Sequence, residues 1–178
     1  MADNSFSIDV AAIRERARAK MTDGPVTENY GRSPEEVIGV LNDVLATEIV
    51  CWMRYARHAI SATGIDRAQV AAEFTEHADE ERDHAMRAAE RISQLGGDPD
   101  FDPKTIAERS HTTYVTFDDN DLKSMLKENL VAERIVIESY QEIIRWLGNG
   151  DVTTRRIMEH ILAEEEEHAD DLMDLLGQ

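Results

Sequence analysis

Apolar residues recur every three or four positions in four long segments, which predicts four amphipathic helices. The first begins at Ser33-Pro34, because serine is a good N-cap and proline fits the first helical position. Its apolar stripe contains Val37, Leu41, Val44, Leu45, Trp52 and Tyr55. The predicted helices span roughly 34–64, 67–96, 122–148 and 151–176, the third after an acidic start at 118–121. No strand pattern competes with them.

The connections between these segments predict their arrangement. The first and third connections are short, so each joins two helices into an antiparallel hairpin. The second connection, Gly97 to Asp118, contains two prolines and is long enough to cross the whole bundle. We therefore expect residues 34–178 to form an all-α four-helix bundle. One long crossover joins its helices 2 and 3. Residues 1–33 form an N-terminal extension, with a short helix near 9–21 and a linker.

Composition narrows the class of protein. The chain has 42% hydrophobic and 31% charged residues, typical of a globular protein. Its longest apolar run, Ile49 to Met53, is far below the roughly 20 residues of a membrane span. No secretory signal is evident, so we expect a cytoplasmic protein with no membrane partner. The single cysteine, Cys51, excludes an intramolecular disulfide and a thiolate-rich metal site.

The net charge of −18 produces an acidic field that attracts cations and repels nucleic acid. The alternative interpretation of this net charge is that it only keeps the protein in solution.

Two Glu-x-x-His motifs lie on predicted helices, at Glu81–His84 and Glu165–His168. Residues three apart share a helix face, so each motif presents a carboxylate beside an imidazole. Each motif is on the second helix of a hairpin. On the first helices, Glu48 and Glu133 interrupt the apolar stripes, 33 and 32 residues before Glu81 and Glu165. A pseudo-twofold axis relating the hairpins would gather all six side chains at the bundle centre.

Four buried carboxylates without partners would be strongly destabilising. Two divalent cations would balance their charge, with two neutral imidazoles completing the set. Carboxylate and imidazole ligands suit non-haem iron or manganese better than zinc, although manganese or zinc at the same site stays an alternative. The alternative to a metal site is that these six residues lie on the surface and form salt bridges.

The sequence resembles the ferritin superfamily, and most closely bacterioferritin and its Dps-like relatives. Residues 41–48 are similar to the first-helix metal-binding segment of bacterioferritins, and residues 125–133 to the third. The resemblance covers about residues 34–176 and implies a ferritin-like fold with a di-iron ferroxidase site. It implies that Glu81 and Glu165 bridge the two irons. The remaining implied ligands, two to each iron, are Glu48, His84, Glu133 and His168.

Six other positions near these motifs have alternative interpretations. Bacterioferritins place a tyrosine where Tyr55 stands, and it could donate an electron or a hydrogen bond; a core tyrosine is the alternative. We expect His77 to be solvated rather than a residue that supports the metal ligands or a relay for iron. Cys51 is expected to be a buried apolar residue rather than a redox group. An acidic access path could involve Glu76, His160 and Glu164.

Two departures from the family pattern limit the assignment. Bacterioferritins bind haem through a methionine inside the second-helix motif, where this chain has Arg82, so haem is not predicted. Only ten residues follow His168, which leaves no room for the fifth helix of 24-subunit shells. A 12-subunit shell is therefore favoured. DNA binding is not expected at this charge, although the basic stretch at 14–20 leaves room for it.

The leading functional hypothesis is a ferroxidase that oxidises Fe(II) with O₂ or H₂O₂ and stores Fe(III) in a hollow homo-oligomeric shell, protecting against oxidative stress. One alternative is a di-metal peroxidase or catalase of the rubrerythrin or manganese-catalase type. Another is a non-enzymatic, DNA-associating shell protein. The residues alone leave the native metal, the oxidant and the shell size open.

Overall fold

The computed structural model describes residues 6–117 and 121–177, and all regular structure in these ranges is helical. The acidic start predicted at 118–121 and the end of the crossover lie partly outside the described residues. The helices are α1 (Val10–Ala19), α2 (Pro34–Ser61), α3 (Arg67–Gln94), α4 (Ile106–Arg109), α5 (Leu122–Leu147) and α6 (Val152–Leu176).

Four long helices form the bundle, as the sequence predicts. The hairpin of α2 and α3 packs against the hairpin of α5 and α6, and the segment between α3 and α5 crosses from one to the other. Helix α2 begins where predicted, because the Ser33 hydroxyl accepts a hydrogen bond from the Glu36 amide and Pro34 occupies the first turn. The all-α fold class and the single long crossover are therefore confirmed.

The crossover is fixed along the length of α2 by polar contacts. In the first half of α2, the Asn42 carbonyl accepts a hydrogen bond from Arg109 Nη1 at 2.6 Å. Farther along, the His111 amide donates to Thr47 Oγ1 at 2.9 Å, and Arg54 Nη1 donates to the Thr113 carbonyl at 3.2 Å. The crossover therefore runs in the direction of α2 and ends at the opposite end of the bundle. The short helix α4 inside it was not predicted.

The bundle core consists of two apolar clusters along its axis. The larger contains Leu41, Leu45, Ile92 and Ile161, and the smaller contains Phe74, Met125 and Leu172. On α3, α5 and α6 the predicted ligands lie between residues of the two clusters, and on α2 Glu48 lies near the end of the larger one. The fold thus places a polar layer where the two apolar clusters meet.

The N-terminal extension has a different character from the bundle. Helix α1 lies within the predicted helix near 9–21, and none of its residues is buried. The end of the linker docks on the α5–α6 turn, where the Gly31 amide donates to the Gly150 carbonyl at 3.0 Å. A Cβ at Gly31 would approach Gly150 Cα to 2.9 Å, so this contact requires glycine. The domain boundary at residue 33 stays a prediction. No helix within the described ranges is long and apolar enough to span a bilayer.

Candidate metal centre

The six residues that the sequence predicts as ligands meet in the polar layer of the bundle. All are at most 2% exposed. They are Glu48 on α2, Glu81 and His84 on α3, Glu133 on α5, and Glu165 and His168 on α6. The alternative interpretation, in which the six residues form salt bridges on the surface, is therefore wrong.

The six residues form two overlapping groups of four. Glu48, His84, Glu81 and Glu165 form one, and the other replaces the first two by Glu133 and His168. In each group the candidate ligand atoms lie within 4.8 Å of one another. Glu81 and Glu165 belong to both groups. Two neighbouring cations could therefore share these two carboxylates, while each has one further carboxylate and one imidazole of its own.

Inward-facing atoms of this cluster lack hydrogen-bond partners among the described residues. Both oxygens of Glu81 and of Glu165 are buried without a hydrogen bond, although His84 Nδ1 lies 3.0 Å from Glu165 Oε1. The same holds for Glu48 Oε2, Glu133 Oε2, His84 Nδ1 and His168 Nδ1. Buried polar groups normally have hydrogen-bond partners. A cluster of buried oxygen and nitrogen atoms without such partners therefore needs an explanation. Divalent cations fit it, because they accept carboxylate oxygens and imidazole nitrogens and offset the charge.

The carboxyl groups of the cluster differ in proton affinity. Burial, together with the charges of Glu165 and Glu48, raises the pKa of Glu81 well above its ordinary value. Burial and Glu165 raise the pKa of Glu133 to about 8. Burial alone would raise the pKa of Glu165 too, but His168 and His84 outweigh it and lower that pKa. Of the two shared carboxylates, Glu165 is therefore the one whose charge the imidazoles stabilise.

The pKa values of the two imidazoles shift upwards, although burial alone would lower them. Burial would lower the pKa of His168, but Glu165 and Glu133 outweigh it and raise the pKa to about 9. Glu165, Glu48 and Glu81 likewise raise the pKa of His84 against the effect of burial. Metal binding needs these nitrogens deprotonated, so loading the site with cations would release protons.

A second carboxylate lies behind each imidazole. His84 Nε2 is 2.8 Å from Glu164 Oε2, and His168 Nε2 is 2.7 Å from Glu80 Oε2. Such contacts fix the ring orientation and leave Nδ1 facing the centre. Glu80 was missed by the sequence analysis. The signal was present, since both motifs read Glu-Glu-x-x-His when extended by one residue.

Two buried tyrosines hold the unshared carboxylates. The Tyr55 hydroxyl donates to Glu133 Oε1, and the Tyr140 hydroxyl donates to Glu48 Oε1. Each bond crosses between the hairpins. Tyr55 thus lies beside the centre, which fits both a hydrogen-bonding role and a core tyrosine with a satisfied hydroxyl, whereas Tyr140 was missed. Its signal was the spacing, because each tyrosine follows a glutamate by seven residues.

Arg54 is a buried cation beside the cluster that the sequence analysis also missed. It is fully buried, and its Nε donates to Asn129 Oδ1 at 2.9 Å. Its guanidinium lies 5.9 Å from the centre of the Tyr55 ring. A fixed positive charge here offsets part of the carboxylate charge. It also ties α2 to α5 and to the crossover.

The expectation for His77 was wrong. The residue is 1% exposed, and its ring stacks on that of His168 with centroids 4.1 Å apart. Burial, and then the charge of His168, lower the pKa of His77 to about 3. The four-residue spacing to Glu81 placed it on the ligand face, but a single histidine on an acidic helix gave no stronger signal.

The remaining candidates separate into buried and exposed positions. Cys51 is buried, as expected for an apolar residue, and burial raises the pKa of its thiol. Of the predicted access path, only Glu164 touches the cluster, through His84. His160 Nδ1 lies 3.3 Å from Glu164 at the surface, while Glu76 is exposed.

Known proteins share this fold. A family model described as a ferritin-like domain matches residues 38–178. A solved structure of a dodecameric thioferritin, the bacterioferritin-related protein from Bacteroides fragilis, is 41% identical, with a TM-score of 0.79. That alignment covers 83% of this chain and 88% of the other.

Two curated relatives are more distant. A bacterioferritin from Desulfovibrio desulfuricans is 28% identical over 134 residues, covering 75% of this chain and 70% of the relative. A nutrient stress-induced DNA-binding protein from Synechococcus sp. is 25% identical over 163 residues, covering 84% of this chain and 92% of the relative.

Proposed function

This chain belongs to the ferritin-like family, and from that premise we propose that it is a ferroxidase that oxidises Fe(II) and stores the Fe(III) product. The two overlapping ligand groups are the observation on which the proposal rests. Glu81 and Glu165 would bridge two Fe(II) ions, with Glu48 and His84 on one ion and Glu133 and His168 on the other. Fe(II) is the substrate of this site.

The reaction balances with either oxidant. Each of two Fe(II) ions gives up one electron. O₂ that accepts two electrons and two protons becomes H₂O₂, whereas H₂O₂ that accepts them becomes two water molecules. Consumption of peroxide together with Fe(II) would make the protein protective, because both reactants of hydroxyl-radical formation disappear.

The protein's own groups prepare the site for this reaction. The tyrosines and the outer carboxylates hold four of the ligand side chains before a cation arrives. Little reorganisation is then needed on binding. The apolar clusters on both sides restrict water to the polar layer.

We further propose a homo-oligomeric shell of twelve subunits. The dodecameric relative from Bacteroides fragilis supports this size, at 41% identity over most of both chains. Fe(III) would accumulate in the cavity of that shell. The cytoplasmic location and the expected absence of DNA binding stay predictions, although one distant relative is named as a DNA-binding protein.

The proposal is tested by Fe(II) oxidation, followed by absorbance under O₂ and separately under H₂O₂. We expect Glu81→Ala to be slower by at least about 100-fold, since a lost ligand should cost no less than a lost outer partner. Glu90→Ala is the matched control, because Glu90 is exposed on the same helix. Equal rates of Fe(II) oxidation for wild type and Glu81→Ala would contradict the proposal. Rapid peroxide disproportionation by manganese-loaded protein would instead support the catalase alternative.

A further inference from the structure

A second group of metal-ligating side chains lies beside the six-residue cluster. It consists of Glu73 and His77 on α3 and Asp171 on α6. His77 Nε2 is 3.4 Å from Glu73 Oε1 and 3.6 Å from Asp171 Oδ2. One ligand atom from each residue lies within 4.8 Å of the others. A single cation placed between them could contact all three.

His77 is the part of this group that needs a ligand. Its side chain is 2% exposed, and neither ring nitrogen has a hydrogen-bond partner among the described residues. The two nearby carboxylates approach Nε2 without hydrogen-bond geometry. A buried imidazole left in this state is destabilising. A cation between the imidazole and the two carboxylates would satisfy all three groups.

The opposite side of the bundle shows that the fold does not require these residues. Shifting each position by the offset that relates the two Glu-x-x-His motifs converts Glu73 and His77 into Ile157 and Ile161, and Asp171 into Arg87. Ile161 is fully buried, and Ile157 packs against the same apolar core cluster. Apolar packing therefore suffices at these positions on one side. The His and carboxylate set on the other side has no structural counterpart there.

The position of this group suggests its role. The His77 ring stacks on His168 of the six-residue cluster at 4.1 Å between centroids. On its other side, Glu73 and Asp171 have side chains that are 29% and 44% exposed. The group thus extends from solvent to one ring away from the buried centre. Its carboxylates would concentrate cations at this opening.

We propose that Glu73, His77 and Asp171 form a third divalent-cation site, through which Fe(II) passes on its way to the buried pair. This inference rests on the proposed ferroxidase function. No oxidation is assigned to the third site. Its role is to bind the hydrated ion at the surface and release it towards His168.

The number of bound Co(II) ions tests the site without relying on activity. Anaerobic titration, followed by calorimetry and visible absorption, should give three ions per subunit for wild type and two for the double variant Glu73→Gln/Asp171→Asn. The matched control is Glu90→Gln/Asp174→Asn, which removes the same charges from exposed positions on the same helices. This control should keep three. Crystals soaked in Co(II) and measured at the cobalt edge should show the third ion beside His77.

A kinetic measurement tests the transit role. Stopped-flow Fe(II) oxidation should be about tenfold slower in the double variant at limiting Fe(II), with an unchanged final yield. The control should match wild type. A double variant that still binds three ions, or a wild type that binds only the buried pair, would overturn the inference and leave the proposed function standing. A wild type that binds no Co(II) at the six-residue cluster would overturn both.

Discussion

The two hairpins present nearly the same inner set of side chains to the metal centre. Each contributes a glutamate and a tyrosine seven residues apart on its first helix, and a Glu-Glu-x-x-His motif on its second. The contacts repeat as well, since each tyrosine holds the other hairpin's glutamate and each histidine has an outer carboxylate. Two cations bound here would have almost equivalent surroundings.

Outside this inner set the halves differ. Beyond His168 lie His77 and two partly exposed carboxylates. At the corresponding place beyond His84, Arg87 pairs with Glu164 at 2.7 Å and isoleucines fill the interior. The comparison teaches that symmetry is kept where two ions share ligands and is lost where a path from solvent would lead to only one of them.

The largest expected effect comes from separating shared from unshared ligands. Glu165→Gln should lower the affinity for both ions by at least about 100-fold, because its carboxylate belongs to both groups. Glu48→Gln and Glu133→Gln should each lose mainly one ion. Anaerobic Co(II) titration, analysed for the number of tight sites, measures the difference.

The paired variants provide the control for each other. Glu48→Gln and Glu133→Gln should behave alike if the inner sets are equivalent, and Glu166→Gln, an exposed change next to Glu165, should behave as wild type. Loss of both ions in Glu48→Gln but of neither in Glu133→Gln would contradict the equivalence of the two halves.

A smaller effect should appear in the pH dependence of the metal-free protein. The pKa of Glu133 is raised to about 8, and that of His168 from 6.5 to about 9. The folded chain therefore holds more protons than the unfolded chain between about pH 6.5 and 9, so its stability falls as the pH rises through this window. Between these two pH values the expected loss is on the order of 5 kcal/mol, with about 3 from His168 and about 2 from Glu133.

Urea unfolding of chelator-treated protein at pH 6.5 and pH 9 measures this loss. Protein loaded with Co(II) is the control, because its ligands are already deprotonated and should show no such fall. Metal-free stability that rises with pH would mean that the cluster is not protonated as described.

Much of this arrangement could be predicted because its signals are local. Helical periodicity and connection length gave the bundle and its crossover, and the three-residue spacing in each motif put a carboxylate beside an imidazole. The match in spacing between Glu48 and Glu81, and between Glu133 and Glu165, then joined the two hairpins. These features depend only on helix geometry.

The contacts that cross between hairpins could not be predicted in the same way. The seven-residue spacing marks Tyr140 as it marks Tyr55, but its partner, Glu48, is 92 residues away and only the folded bundle brings the two together. Arg54 interrupts the stripe of α2 as Glu48 does, but its partner Asn129 lies on α5. His77 was misjudged because its burial depends on how α6 covers α3, which no local pattern in α3 specifies.

The smallest expected effect tests whether the two tyrosines are as equivalent as their contacts. Tyr55→Phe and Tyr140→Phe each remove one hydroxyl donor from a buried glutamate. Each should lower the free energy of unfolding of the metal-free protein by about 1–2 kcal/mol, because the carboxyl oxygen loses its partner while the ring packing is kept. Tyr114→Phe, at a partly exposed ring in the crossover, should change it little. Urea unfolding followed by circular dichroism gives the values, and unequal losses from Tyr55→Phe and Tyr140→Phe would show that the asymmetry seen around His77 extends into the inner set.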